Sequence, residues 1–124
     1  MSDDSTSRPT RWPARVYGVG SEPDFRFSLA NERTFLAWVR TSLALLAGGV
    51  ALDAVDLDGP RGVQTAVAVT LVVLGLLGAT AAWLRWAATE RAMRLRQPLP
   101  STVVLAWIAL AMMAVAVGLV VLLL

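Results

Sequence analysis

Three arginines, Arg26, Arg33 and Arg40, recur at intervals of seven residues. On a helix of 3.6 residues per turn that spacing drifts by only about 20° per step, so a continuous helix carries all three on one stripe. A guanidinium is a planar fork of donors, always charged, that takes phosphate or carboxylate oxygens two at a time. A descending row of them suits phosphate or a polyanion. Glu32 is the acid beside the stripe, but it stands eight residues before Arg40. That is too far along one helix, so a Glu32–Arg40 ion pair would need a neighbouring helix or a second copy of the chain. Arg40 is followed directly by Thr41-Ser42-Leu43 and an apolar run. An arginine at hydrocarbon depth is costly unless it pairs, faces a polar cavity or snorkels to the interface, and the sequence leaves those routes open.

Other chemistry is harder to find. The chain has no His and no Cys, which removes the commonest ligands for zinc, haem and iron–sulfur groups as well as any disulfide. The hydroxyls of Thr34, Thr41 and Ser42 have only arginines near them as a base, so helix–helix hydrogen bonding is their expected role. Gly18-Val19-Gly20 lacks the strand–turn–helix setting of a phosphate loop. The expectation is a protein with no catalytic residues, no metal site and no cofactor, and with no nucleic-acid partner.

The elements that must position the arginines are membrane spans. Of the 124 residues, 56% are hydrophobic. Gly62 to Leu84 is a stretch of 23 uncharged residues, and no side-chain charge follows Arg96. Each of these stretches is long enough, at about 1.5 Å per residue, to cross a hydrocarbon core of roughly 30 Å. The first span has only twelve uncharged residues, Thr41 to Leu52, so Arg40, Asp53 or both must lie below the membrane surface. The fold expected is all-α and integral to the membrane, with three transmembrane helices at about 34–55, 63–86 and 102–124. A short amphipathic helical lead-in from about Glu32 precedes the first span, and the second span extends beyond the membrane.

Orientation follows from charge. With the N-terminus inside, the cytoplasmic segments carry Arg8, Arg11, Arg15, Arg26, Arg33, Arg40, Arg85, Arg91, Arg94 and Arg96, and the external loop carries only Arg61. That asymmetry predicts N-in and C-out. Trp38, Trp83, Trp86 and Trp107 fall at the same ends of their spans and are expected to be interfacial anchors. Asp58-Gly59-Pro60 predicts a tight external turn. Glu90 and Arg94 stand in the favourable order for a pair along one helix. Gln97-Pro98-Leu99-Pro100 ends that helix, and Ser101 is the expected cap of the third span. Ala44 with Gly48, Gly75 with Ala79, Gly78 with Ala82 and Ala114 with Gly118 are spaced for close helix contact. Residues 1–23 have no apolar core of a signal peptide and are expected to be a disordered cytoplasmic tail. Residues 24–124 are the membrane domain.

The run Ala30-Asn31-Glu32-Arg33-Thr34-Phe35-Leu36-Ala37-Trp38 resembles the YidH-like family, a membrane domain of unknown function. Asp24-Phe25-Arg26 before it, Arg40-Thr41-Ser42-Leu43 after it, and Glu90-Arg91-Ala92 through Pro98-Leu99-Pro100 also fit, so the resemblance covers about residues 24–124. The same domain is similar to the membrane part of the eukaryotic vacuolar transporter chaperone complex, which makes polyphosphate and passes it across a membrane through a pore lined by basic residues. The resemblance implies that Arg33 is the arginine of the shared E-R-T-F-L-x-W motif, that Glu32 is its acid, and that Arg26 stands where a basic residue precedes it by seven. The motif does not require Arg40. The 124 residues hold neither the polymerase nor the phosphate-sensing domain of that complex, so polyphosphate synthesis is not expected.

Two readings of function result. In the first, an oligomeric module of identical copies in the plasma (inner) membrane binds or conducts an anion on Arg26, Arg33, Arg40 and Arg85, with Glu32 as ion-pair partner. In the second, the chain is a membrane scaffold for a partner enzyme, and its arginines serve topology and contact with the lipid bilayer.

Overall fold

The structure is a computed structural model that describes residues 11–100 and 103–124; Ser101, the expected cap, lies outside them. Among the described residues there are four helices and no strand: α1 (Ala14–Tyr17), α2 (Phe25–Ala54), α3 (Arg61–Arg94) and α4 (Val103–Leu123). Three of them are long and apolar enough to cross a membrane. The 30 residues of α2 and the 34 of α3 come to roughly 45 and 51 Å, well beyond a hydrocarbon core of about 30 Å.

Helix α2 begins seven residues before the Glu32 start read from the sequence. Asp24 explains this: its side chain accepts from the Arg26 backbone N–H at 2.9 Å, satisfying a donor that would otherwise be orphaned at the helix start. Helix α3 ends at Arg94, before the proline pair. The Gln97 N–H donates to Ala92 O and the Arg96 N–H to Met93 O, with Arg96 in the left-handed region at φ 53°. This is the Schellman arrangement, made here without glycine, and Pro98 comes after the stop.

Helices α2 and α3 form an antiparallel hairpin. The α2 side of the seam reads Ser28, Asn31, Phe35, Trp38, Ser42, Leu45, Gly49 and Leu52, all buried or half-buried. The α3 side includes Gln64, Ala68, Leu71, Gly75, Gly78 and Ala82, all buried. Alternating steps of three and four keep such a seam facing its partner. Small residues set the approach: a Cβ on Gly75 would stand 2.9 Å from Ser42 O, and one on Gly49 2.8 Å from Ala68 O. The expected contact at Ala44 and Gly48 is corrected by this register. Both residues are exposed, a Cβ on Gly48 would meet nothing within 4 Å, and the residue in the seam is Gly49. Thr34 and Thr41 do not bond across helices either; their hydroxyls donate to Ala30 O and Ala37 O one turn back.

At the turn end, Gln64 is 2% exposed. Its Nε2 donates to Leu52 O at 2.7 Å and Val55 O at 2.6 Å, capping carbonyls that α2 leaves orphaned at its C-terminus. Helix α4 packs on α3 and does not meet α2.

The described part of the N-terminal segment, residues 11–23, lies against the end of α3; the remainder, with Arg8, lies outside the described residues. Trp12 stacks on Trp83 at 5.7 Å, and Tyr17 meets Trp86 edge-on at 6.1 Å. Ser21 N–H donates to Arg94 O at 3.1 Å. Gly20 makes that approach possible: its φ is +62°, and a Cβ there would lie 2.1 Å from Arg94 O. The segment is polar and has no core of its own; its packing partners are supplied by the end of α3.

Candidate functional site at the arginine-rich end

Arg26, Arg33 and Arg40 all lie on α2 and are all exposed. Each stands two residues before a seam residue, Ser28, Phe35 or Ser42. Two residues turn about 200° on a helix, so the stripe faces away from α3. None of the three joins an ion pair among the described residues, where the pairs are Arg11–Glu22, Arg61–Asp56 and Arg94–Glu22. Arg26 lies over the Phe25 ring at 5.9 Å. Glu32 is exposed and likewise joins no ion pair among the described residues.

Arg85 is brought elsewhere. It is half-buried on α3, with its guanidinium 5.7 Å from the centroid of the Trp38 ring, a cation–π contact that holds it without neutralising it. Trp38 and Trp107 line an apolar groove of about 520 Å³ between α2 and α4, floored by Leu74, Leu77, Gly78 and Ala81 of α3. Trp83 and Trp86 are 5.2 Å apart and both lie against Phe35. The four tryptophans therefore gather at one end of the bundle, with Trp107 68% exposed.

The structure also assembles a polar cluster that the sequence reading missed. Glu90 is 4% exposed and Asn31 8%. Ser28 Oγ donates to Glu90 Oε1 at 2.8 Å, and Asn31 Nδ2 donates to Glu90 Oε2 at 3.3 Å and to Trp86 O at 3.1 Å. A carboxylate taken from water costs several kcal/mol unless its oxygens are satisfied, and these donors satisfy it. Arg94 does not pair with Glu90 along the helix, as the spacing suggested. Its Nε donates to Val19 O at 3.0 Å, its Nη2 to Tyr17 O at 3.0 Å, and its Nη1 to Glu22 at 3.3 Å. Arg11 also pairs with Glu22 and lies over the Tyr17 ring. Between these groups is a cavity of about 210 Å³ whose walls include Tyr17, Glu22, Ser28, Glu32, Trp86 and Glu90.

Chemically, the end divides in two. The cluster of Glu90, Asn31 and Arg94 is internally satisfied and fastens α2, α3 and the N-terminal segment together. The outward guanidiniums of α2, and Arg85 at the groove, are cations left without an acid. Asn31 was legible in principle, because Ser28, Asn31, Phe35 and Trp38 already share the seam period. Glu32 and Arg33 belong to the same motif but stand on the exposed side of the helix. No group of three or more metal-ligating side chains occurs among the described residues.

Comparison with known proteins agrees with a membrane domain. A family described as a domain of unknown function, DUF202, matches residues 26–92. The chain is 47% identical over 104 residues to Inner membrane protein YidH of Escherichia coli (strain K12), covering 83% of this chain and 90% of that protein. It is 45% identical over 102 residues to Uncharacterized protein MT2333 of Mycobacterium tuberculosis (strain CDC 1551 / Oshkosh), covering 81% and 75%. No solved structure matches.

Proposed function

The chain belongs to the DUF202 family of YidH-like membrane domains, and from that premise we propose that it is a non-enzymatic inner-membrane module that assembles from identical copies and binds or conducts a phosphate-like anion. One observation carries the reading: Arg26, Arg33 and Arg40 share an outward face of α2 with no acid against them among the described residues. Arg40 is the deepest of the three. An exposed guanidinium at that depth is tolerated when it faces a polar path or a neighbouring copy, and Glu32 of that copy is the acid within the same motif. The resemblance to the membrane part of the polyphosphate-handling complex points to the same class of anion. Arginine placement supports an inward N-terminus, which puts this end of the bundle in the cytoplasm. The bundle end also fits the scaffold reading, since α4 leaves most of its apolar surface uncovered.

Reconstituted vesicles separate the two. Wild-type protein should release trapped inorganic phosphate or short polyphosphate, and Arg33→Ala combined with Arg40→Leu should abolish release while the protein still inserts. Flux no greater than in protein-free vesicles, together with no anion binding above lipid controls, removes the anion reading and leaves the scaffold.

A further inference from the structure

The groove runs between α2 and α4, whose backbones make no close approach among the described residues, and its floor is supplied by α3. Its volume of about 520 Å³ is in the range of small-molecule sites, about 300–1,000 Å³. Among the described residues its only hydroxyls are Thr41 and Ser42. Thr41 is spent on Ala37 O, and Ser42 is 3% exposed against Gly78. The walls therefore offer an occupant hydrocarbon and almost nothing polar.

The mouth is different. Arg85 stands one turn beyond Ala81, which lines the floor, and its guanidinium lies over Trp38, which lines the wall. A guanidinium carries five N–H donors, and among the described residues those of Arg85 meet no acceptor, while Arg91 and Arg94 both do. Arg40, next in sequence to Thr41, is not among the lining residues and belongs to the outward stripe. An apolar slot with an unspent cation at one end is complementary to a molecule with a hydrocarbon chain and an anionic head.

We propose that this groove seats one acyl chain of an anionic phospholipid, with Arg85 holding the headgroup phosphate. A helix from a second copy matches less well. Helix α4 carries no charge, and Glu90 is consumed by Ser28 and Asn31. Glu32 lies six residues from Trp38, roughly 9 Å along the axis. The assignment rests on the reading of Arg85 as an anion-binding residue, names its ligand, and leaves the Arg26–Arg33–Arg40 stripe to the flux measurement.

The full chain, purified in detergent and stripped of lipid, is titrated with phosphatidylglycerol, with phosphatidylcholine of the same chains, and with inorganic phosphate, and bound lipid is counted by native mass spectrometry. One phosphatidylglycerol per chain should be retained about tenfold more tightly than phosphatidylcholine, whose phosphate is followed by a choline cation that the Arg85 guanidinium repels. Arg85→Gln should erase that preference. Ala111→Trp, which fills the groove, should erase retention with helicity unchanged by circular dichroism; Ala81→Leu is the smaller plug should the tryptophan disturb folding. Equal retention of the two lipids, undiminished retention in both plugged variants, or displacement of the lipid by inorganic phosphate would each overturn the proposal. The chain has no cysteine, so an Ala111→Cys variant that forms a disulfide between copies in vesicles would show a second copy in the groove, which also overturns it. Loss of lipid selectivity with phosphate flux intact would leave the stripe reading standing.

Discussion

Helix α3 is held in different ways on its two sides. Against α2 it presents Ala68, Gly75, Gly78 and Ala82 to Ser42 and Gly49, and the seam is closed at one end by Gln64 and at the other by Glu90 with Ser28 and Asn31. Against α4 the fit is looser: a Cβ on Gly118 would stand 3.5 Å from Val67, an ordinary van der Waals contact, and one on Gly59 of the turn 3.4 Å from Leu122 of α4. Lipid tails are as apolar as leucine, so helices in a bilayer are not driven together by hydrophobicity; close backbone packing and buried polar bonds do the work. Among the described residues the α2–α3 hairpin has both and α4 has neither. The hairpin is thus a structural unit, and α4 is a companion held to it by ordinary packing.

The largest expected effect tests that contrast directly. Gly75→Leu forces a side chain into Ser42 O and Leu46, which a Cβ alone would meet at 2.9 and 2.7 Å. It should cost about 3 kcal/mol, the upper end of overpacking, seen as a lowered unfolding midpoint of the detergent-solubilised protein. Gly118→Leu on α4 should move the midpoint by no more than about 0.5 kcal/mol. Equal losses in the two variants would mean that α4 is as tightly built in as α2.

The next effect contrasts the two acids of the arginine-rich end. Glu90→Ala strands Ser28 Oγ and leaves Asn31 Nδ2 with Trp86 O alone, at a cost of about 1–3 kcal/mol, and should make residues 11–23 more susceptible to protease. Glu90→Gln keeps an acceptor for Ser28 and should lose less. Glu32→Ala, at an exposed position that joins no ion pair among the described residues, should leave the midpoint within about 0.5 kcal/mol of wild type. If Glu32→Ala proved the more damaging, its partner would be another copy and the division of labour drawn here would be reversed.

That division also marks what could be read in the residues. Two spans follow from charge-free length and the first from an apolar run that must take in Arg40 or Asp53, and the structure has three helices long and apolar enough to fill them. The one-stripe placement of Arg26, Arg33 and Arg40 follows from a period of seven on one continuous helix. What escaped was mostly seam register and the bonds that close it. Gly48 and Gly49 are adjacent, and only the period through Ser42, Leu45 and Leu52 tells which one faces α3. Gln64 reads as a stray polar residue in a span until the carbonyls of Leu52 and Val55 are brought beside it. The segment over 11–23 has no hydrophobic period of its own, because Trp83, Trp86 and Arg94 of α3 supply its partners.

The smallest expected effect on stability falls on the outward face of α2, where the assembly of identical copies would be decided. Ala44 and Gly48 are exposed there, and Gly48 has open space around its Cβ position. Within one chain Gly48→Leu should therefore do no harm, and the gain in helix propensity should stabilise the hairpin by roughly 0.5–1 kcal/mol. A small residue on an exposed face is useful where another backbone approaches it closely. If copies pack through this face, the same substitution should lower the oligomeric fraction measured by cross-linking in vesicles while the unfolding midpoint of the hairpin holds or rises. An oligomer undisturbed by leucine at this position moves the contact to α4, the helix that α3 holds less closely.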